Sequence, residues 1–270
     1  MNKRNYLKDC KRIVVKIGTS TLSYPNGKLN FQRIELLARV ISDVQARGKE
    51  VLIVSSGAIA VGAGRLGLHE KPAALADKQA LAAVGQAELI KIYQKFFDNY
   101  HQFVAQVLLT KDGIVNPIRR TNARNTLNTL ITMGIIPIIN ENDTVATDEI
   151  EFGDNDTLSA FVADLVDADL LIMLSDIDGL YSADPRANAS AEIISLVEEI
   201  TPELDNIATG AGSSFGTGGM ITKITAAKVC RDSGIDAIIT NGSNPRVIYD
   251  VINGEETGTL FTFRHKFKKV

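Results

Sequence analysis

The sequence predicts an α/β fold: an open, mainly parallel sheet in a three-layer αβα sandwich, built as one domain over residues 1–270 with two lobes and a cleft between them. Three observations predict it. Six apolar runs are continuous rather than alternating, as strands covered on both faces require. Helical patterns fill the segments between them. The runs end in Gly, Ser, Asn or Asp, the residues that line ligand sites beyond the carboxyl ends of parallel strands.

The runs cover residues 13–17, 51–54, 103–109, 135–139, 170–174 and 235–239. After the first, Phe31, Ile34, Leu37, Val40, Ile41 and Val44 keep a 3.6-residue period, with Asn30 and Gly48 placed to cap the helix. Residues 72–100 read as one long helix or two, with Gly85 inside it. Asn116-Pro117, Thr201-Pro202 and Asn244-Pro245 each set a capping side chain before a proline at the first helical position. The stretch 176–219, broken by Gly179, Pro185, Pro202, Gly210, Gly212, Gly216, Gly218 and Gly219, reads as a divider between the lobes. No linker, low-complexity tract or internal repeat interrupts the chain.

At 270 residues with 45% hydrophobic content, the chain can bury a large core. Its 29 Lys+Arg against 32 Asp+Glu leave a net charge of −3, which removes the broad basic footprint of a nucleic-acid binder. Anion binding would have to be local. Cys10 and Cys230 sit in no metal-ligand spacing, so neither a disulfide framework nor a zinc site is expected, and reduced thiols in a cytoplasm are. The first twelve residues hold no apolar core of a signal peptide, and no 18-residue apolar stretch occurs, so no export and no membrane partner are expected. His69, His101 and His265 are isolated and receive no ligand role.

The first run ends in Lys16-Ile17-Gly18-Thr19-Ser20, a lysine, a glycine and two hydroxyls suited to an anion. The second ends in Ser55-Ser56-Gly57-Ala58. Further on, Gly62-Ala63-Gly64-Arg65-Leu66-Gly67 matches G-x-G-x-x-G letter for letter. It lies too far past the strand for a dinucleotide turn, and its glycines are assigned to helix packing. Asn140-Glu141-Asn142-Asp143 and Gly153-Asp154-Asn155-Asp156 could ligate a cation, bind an ammonium group or orient lysines, or simply form Asx turns. The fifth run ends in Ser175-Asp176. Gly216-Thr217-Gly218-Gly219-Met220-Ile221-Thr222-Lys223 opens a helix, where orphan N–H groups and the lysine suit phosphate, although the Walker A pattern is not matched.

Taken in order, Val14-Val15-Lys16-Ile17-Gly18-Thr19-Ser20, Val54-Ser55-Ser56-Gly57-Ala58-Ile59-Ala60, Ile139-Asn140-Glu141-Asn142-Asp143, Gly153-Asp154-Asn155-Asp156 and Gly216-Thr217-Gly218-Gly219-Met220 resemble the amino acid kinase family. The resemblance covers residues from about 11 to about 263. It implies transfer of the ATP γ-phosphoryl group to the side-chain carboxylate of L-glutamate, the first step of proline biosynthesis. Kinases of the family that act on acetylglutamate, carbamate, aspartate or UMP, and a non-catalytic nucleotide-binding regulator, are the alternatives.

The resemblance further implies a glutamate lobe over about 11–170 and an ATP lobe over about 171–263. Lys16, Lys223 and Asp156 are the implied catalytic residues, with Asp156 holding both lysines. Ser56, Asp143, Asn155 and Asp154 are implied for glutamate. Lys16, Gly18, Ser175, Asp176, Thr217, Gly218, Gly219, Met220, Ile221, Thr222 and Lys223 are implied for ATP. Mg²⁺ is expected to arrive with ATP, with no residue assigned as its ligand. Proline as feedback inhibitor and a homo-oligomer are implied as well. Many members carry a C-terminal PUA domain, and this chain is expected to be a form without one.

Overall fold

The computed structural model describes residues 3–24, 28–68, 74–145, 155–183, 188, 190–209 and 219–263. After a 3-10 turn at Asn5–Asp9 come β1 (Arg12–Ile17), α1 (Thr19–Leu22), α2 (Phe31–Ala46), β2 (Glu50–Ser55), α3 (Ala58–Arg65), α4 (Leu75–Asp98), β3 (Val104–Leu109), α5 (Lys111–Val115), α6 (Pro117–Thr132) and β4 (Ile136–Glu141). There follow α7 (Asn155–Leu165), β5 (Leu170–Ser175), β6 (Leu196–Val197), α8 (Pro202–Thr209), α9 (Met220–Asp232), β7 (Asp236–Asn241), α10 (Val247–Ile252) and β8 (Thr259–Phe261). The α/β class with mainly parallel strands holds.

Two compact units emerge, one of Ile17–Phe152 and one of Met1–Lys16 with Gly153–Val270. This division differs from the expected lobes of about 11–170 and 171–263. Two physical ties explain the difference. The Asp169 carboxylate accepts from the backbone N–H groups of Lys11 (2.6 Å) and Arg12 (3.0 Å), and the Asp169 N–H donates to Arg12 O at 2.8 Å, which binds the start of β1 to the start of β5. Helix α7 packs on α9, so it belongs with the C-terminal strands.

In the unit Ile17–Phe152 the strands lie in the order β3, β4, β2. All pairings are parallel, with Val54 opposite Ile139 and Leu108 opposite Asn140. The periodic face of α2 is buried through Ile34, Leu37, Val40, Ile41 and Val44. Its N-terminus is capped where Asn30 Oδ1 accepts from Arg33 N–H at 3.0 Å, and Gly48 (φ +84°) turns the chain after its end. Asn116 caps α6 in the same way, accepting from Ile118 and Arg119 N–H, with Pro117 first in the helix. Helix α4 is a single helix. Its Gly85 is where it meets α3.

In the other unit the order is β1, β5, β7, β8, β6. β5 and β7 are parallel, β8 runs antiparallel to β7, and β6 is parallel to β8. Every residue of β5 is buried, which explains its uninterrupted apolar run. β6 and β8 have two and three residues and carry no periodic signal, so the sequence does not announce them. Asn244-Pro245 departs from expectation: residues 244–249 first coil with i→i−3 hydrogen bonds, Asn244 Oδ1 accepts from Arg246 N–H at 3.1 Å, and α10 begins only at Val247. Cys10 and Cys230 are both buried.

Candidate active site

A buried cluster of charge lies within the unit Met1–Lys16 with Gly153–Val270. Lys16 is the last-but-one residue of β1, Asp156 sits in the first turn of α7, and Lys223 in the first turn of α9. Lys16 Nζ lies 2.6 Å from Asp156 Oδ1, and Lys223 Nζ donates to Asp156 Oδ2 at 3.0 Å. Thr222 Oγ1 is 2.9 Å from the same Oδ2. Asp156 is fully buried, and Lys16 and Lys223 are only 6% and 4% exposed.

Burial works against ionising Asp156, but the neighbouring ammonium groups of Lys16 and Lys223 outweigh it and hold the carboxyl at about 2. The ionised Asp156 is the common partner of the two lysines. Two buried lysines gathered at one carboxylate suit an anionic guest, because charge taken out of water is stabilised by charge of the other sign. Asp156 holds both lysines by their ammonium groups, one on each carboxylate oxygen.

Around this cluster, Gly219 is the N-cap of α9 with extended backbone (φ −66°, ψ −177°), and a Cβ there would meet nothing within 4 Å among the described residues. With no side chain to cap it, the first turn of α9 presents backbone N–H groups, the arrangement that receives anions. Met220 and Ile221 occupy that turn, Ile221 being half-exposed. Thr222, also expected at ATP, has its hydroxyl 2.9 Å from Asp156 Oδ2 and 2.7 Å from Gly219 O.

At the carboxyl ends of β5 and β7, Ser175 Oγ donates to Asp176 Oδ1 at 3.1 Å, and Asp176 is exposed. Asp178 and Tyr181 belong to the same strand-end segment Ser175-Asp176-Ile177-Asp178-Gly179-Leu180-Tyr181, whereas Asn241 and Gly242 received no role from the sequence. Asn241 Nδ2 donates to Asp178 Oδ1 (2.7 Å), Tyr181 OH donates to Asp178 Oδ2 (3.2 Å), and Gly242 N–H donates to Ser175 O (2.7 Å). The signal available was Asn241-Gly242 closing the last apolar run, the same kind of ending that singled out Ser175-Asp176.

In the unit Ile17–Phe152, Ser56 follows β2 and donates its N–H to Ile17 O at 3.0 Å. Gly57 next to it has φ +103°, a conformation that favours glycine, and opens α3. Gly18 is the N-cap of α1 with φ −75°, a value any residue adopts. Asp143 stands in the turn after β4, a turn begun where Asn142 N–H donates to Leu109 O at 2.8 Å. Asn140 behind it is buried, its Nδ2 donating to Gln86 Oε1 (2.9 Å) and its Oδ1 accepting from Glu141 N–H (2.9 Å). Gln86 was not singled out, although a glutamine on the buried face that α4 shares with Ala82, Leu89 and Tyr93 marks a polar demand there.

Asn155, the first residue of α7, belongs to the other compact unit from Ser56 and Asp143. Asp154, Thr217 and Gly218 lie outside the described residues, as do Gly153 and Gly216 of their motifs, His69 and His265. The G-x-G-x-x-G match is a packing feature at Gly62: a Cβ there would sit 2.1 Å from Leu81 O of α4, and one at Gly85 would sit 1.7 Å from Ala58 O of α3.

The pattern of the amino acid kinase family matches residues 11–241. The chain belongs to the amino acid kinase family. Among relatives, it is 57% identical over 262 residues to "Glutamate 5-kinase" of Clostridium perfringens (strain 13 / Type A), covering 96% of this chain and 97% of that protein. It is 55% identical to "Glutamate 5-kinase" of Listeria monocytogenes serotype 4b (strain CLIP80459), with 96% and 95% covered. Among solved structures, carbamate kinase from Giardia lamblia bound to AMP-PNP superposes with a TM-score of 0.67 at 18% identity, over 94% of this chain and 99% of that one. That likeness establishes the amino acid kinase fold, and both lysines and Asp156 fall inside the matched span.

Proposed function

We propose that this amino acid kinase transfers the γ-phosphoryl group of ATP to the side-chain carboxylate of L-glutamate, giving L-glutamyl 5-phosphate and ADP in proline biosynthesis. The observation that carries the reading is the buried Lys16–Asp156–Lys223 set. Relatives named glutamate 5-kinase at 54–57% identity over 96% of the chain support glutamate as the acceptor.

The acceptor carboxylate is already ionised at neutral pH, so no general base is needed to make the nucleophile. The obstacle is the approach of two anions. In this reading Lys16 and Lys223 offset the charge that spreads over the transferring phosphoryl oxygens, and Asp156 keeps both ammonium groups aimed. The first turn of α9, with Ser175 and Asp176, serves the nucleotide. Asp143 suits the α-ammonium group of glutamate by charge, and the Ser56 hydroxyl and the Asn155 amide suit its carboxylate oxygens.

Among the described residues no group of three or more His, Cys, Asp or Glu side chains is arranged to hold a metal ion. In this reading Mg²⁺ enters on ATP phosphates and water, with no residue assigned as its ligand. Once bound, the ion would neutralise phosphate charge. The reading also includes L-proline as an inhibitor at the glutamate residues, a homo-oligomeric assembly and a cytoplasmic location. Among the described residues no helix is long and apolar enough to cross a membrane.

The test is ADP release that depends on glutamate, with hydroxylamine trapping of the acyl phosphate. Carbamate, acetylglutamate, aspartate and UMP are run as rival acceptors. Trapped γ-glutamyl hydroxamate is the expected product, and preference for a rival acceptor overturns the reading.

A further inference from the structure

Thr222 Oγ1 lies 2.9 Å from Asp156 Oδ2 and 2.7 Å from Gly219 O. Both partners are acceptors when Asp156 is ionised, and a hydroxyl has one proton to give. The proton can therefore satisfy only one of them at a time. Which one it serves depends on how strongly the lysines hold the carboxylate. Oδ2 is also the oxygen that receives Lys223 at 3.0 Å, so Thr222 and Lys223, adjacent in the first turn of α9, share one acceptor.

We propose that Thr222 is a positioning residue for phosphoryl transfer. With Lys223 fully on Asp156, the hydroxyl proton serves the Gly219 carbonyl. As Lys16 and Lys223 turn toward the transferring phosphoryl oxygens, the proton rotates to Oδ2 and replaces part of the interaction the carboxylate loses, so Asp156 stays in place. The hydroxyl acts through Asp156 and does not touch the nucleotide, which separates it from the backbone N–H groups of the same helical turn. The inference rests on the phosphotransfer reading above.

The test compares Thr222→Val, which keeps the shape and removes the hydroxyl, with Thr222→Ser, which keeps the hydroxyl and removes the methyl. Thr222→Ala repeats the deletion in a smaller side chain. Loss of a hydrogen bond to a charged group should lower kcat by at least about tenfold in the Val and Ala variants, with the KM for ATP changed by less than about threefold. Calorimetric affinity for a non-hydrolysable ATP analogue should change equally little, and Thr222→Ser should keep kcat within about threefold of the wild type. A raised KM for ATP at unchanged kcat would overturn the proposal, since the hydroxyl would then be a nucleotide ligand. So would a Ser variant as impaired as the Val variant, or a Val variant with wild-type kcat. Wild-type protein is assayed beside the variants with all the acceptors named above. Turnover of an acceptor other than glutamate removes the proposed substrate but leaves the Thr222 comparison readable on that acceptor, and no turnover with any acceptor overturns both.

Discussion

Replacing Asp156 by Asn keeps the volume of the side chain and removes its charge. In the native structure this carboxylate is fully buried between Lys16 Nζ at 2.6 Å and Lys223 Nζ at 3.0 Å. Asn leaves two buried ammonium groups with a neutral neighbour, and breaking a buried ion pair from one side costs about 3–5 kcal/mol. A second line of reasoning gives a similar scale. Asp156 titrates at about 2 rather than its ordinary 3.8, despite burial that opposes ionisation. At about 1.36 kcal/mol per pKa unit, that difference contributes roughly 2 kcal/mol to the wild type.

The pH sign follows from the lowered value. The contribution is fully present above about 3.8, where Asp156 is ionised in both folded and unfolded chains, and is lost as pH falls toward about 2. Urea unfolding of wild type and Asp156→Asn, followed by circular dichroism from neutral pH down to the lowest pH at which both fold, measures it. The expected result is a lower midpoint for the variant at pH 7 and a gap that narrows as the pH drops below 4. Turnover should fall as well, because two unanchored lysines lose their aim. Equal midpoints at pH 7, or a gap that widens in acid, would refute the electrostatic account of this cluster.

Lys16→Ala and Lys223→Ala should each lower kcat by at least about a hundredfold, the scale of removing one preorganised charge donor, as measured by ADP release at saturating substrates. Near-normal turnover in either variant removes that lysine from the chemistry. Asp143→Ala should raise the KM for glutamate and leave the KM for ATP close to wild type in the same assay. The reverse pattern would reassign the turn after β4. Gly85→Ala would gain about 1 kcal/mol from helix propensity on an open helix, but here the new Cβ would lie 1.7 Å from Ala58 O and 2.5 Å from Gly62 N, backbone atoms that cannot swing aside. Forcing α3 and α4 apart should make it destabilising by about 1–3 kcal/mol or more. An unchanged thermal midpoint would contradict that contact, and since α3 starts right after Ser56 and Gly57, a raised KM for glutamate should accompany the loss.

Much of the local structure was legible because its causes are local. The apolar face of α2, the Asn30 and Asn116 caps and the buried run of β5 depend on residues within a few positions of one another, and each appears as read. Asn244-Pro245 shows the limit, since the same local chemistry is satisfied by a tight turn and the helix starts two residues later. β6 and β8 are held by neighbouring strands rather than by any pattern of their own.

The sequence by itself determined the alternating α/β class, the family resemblance and the identity of the residues worth testing, because period, caps and motif order are written along the chain. Only the tertiary structure decided what those residues do to one another. Lys223 and Asp156 are 67 positions apart, and nothing along the chain says that one carboxylate receives Lys16 on one oxygen and shares the other between Lys223 and Thr222. That geometry comes from packing α7 on α9 and tying β1 to β5. The same packing explains why a glycine pattern resembling a nucleotide fingerprint serves instead to let two helix backbones touch.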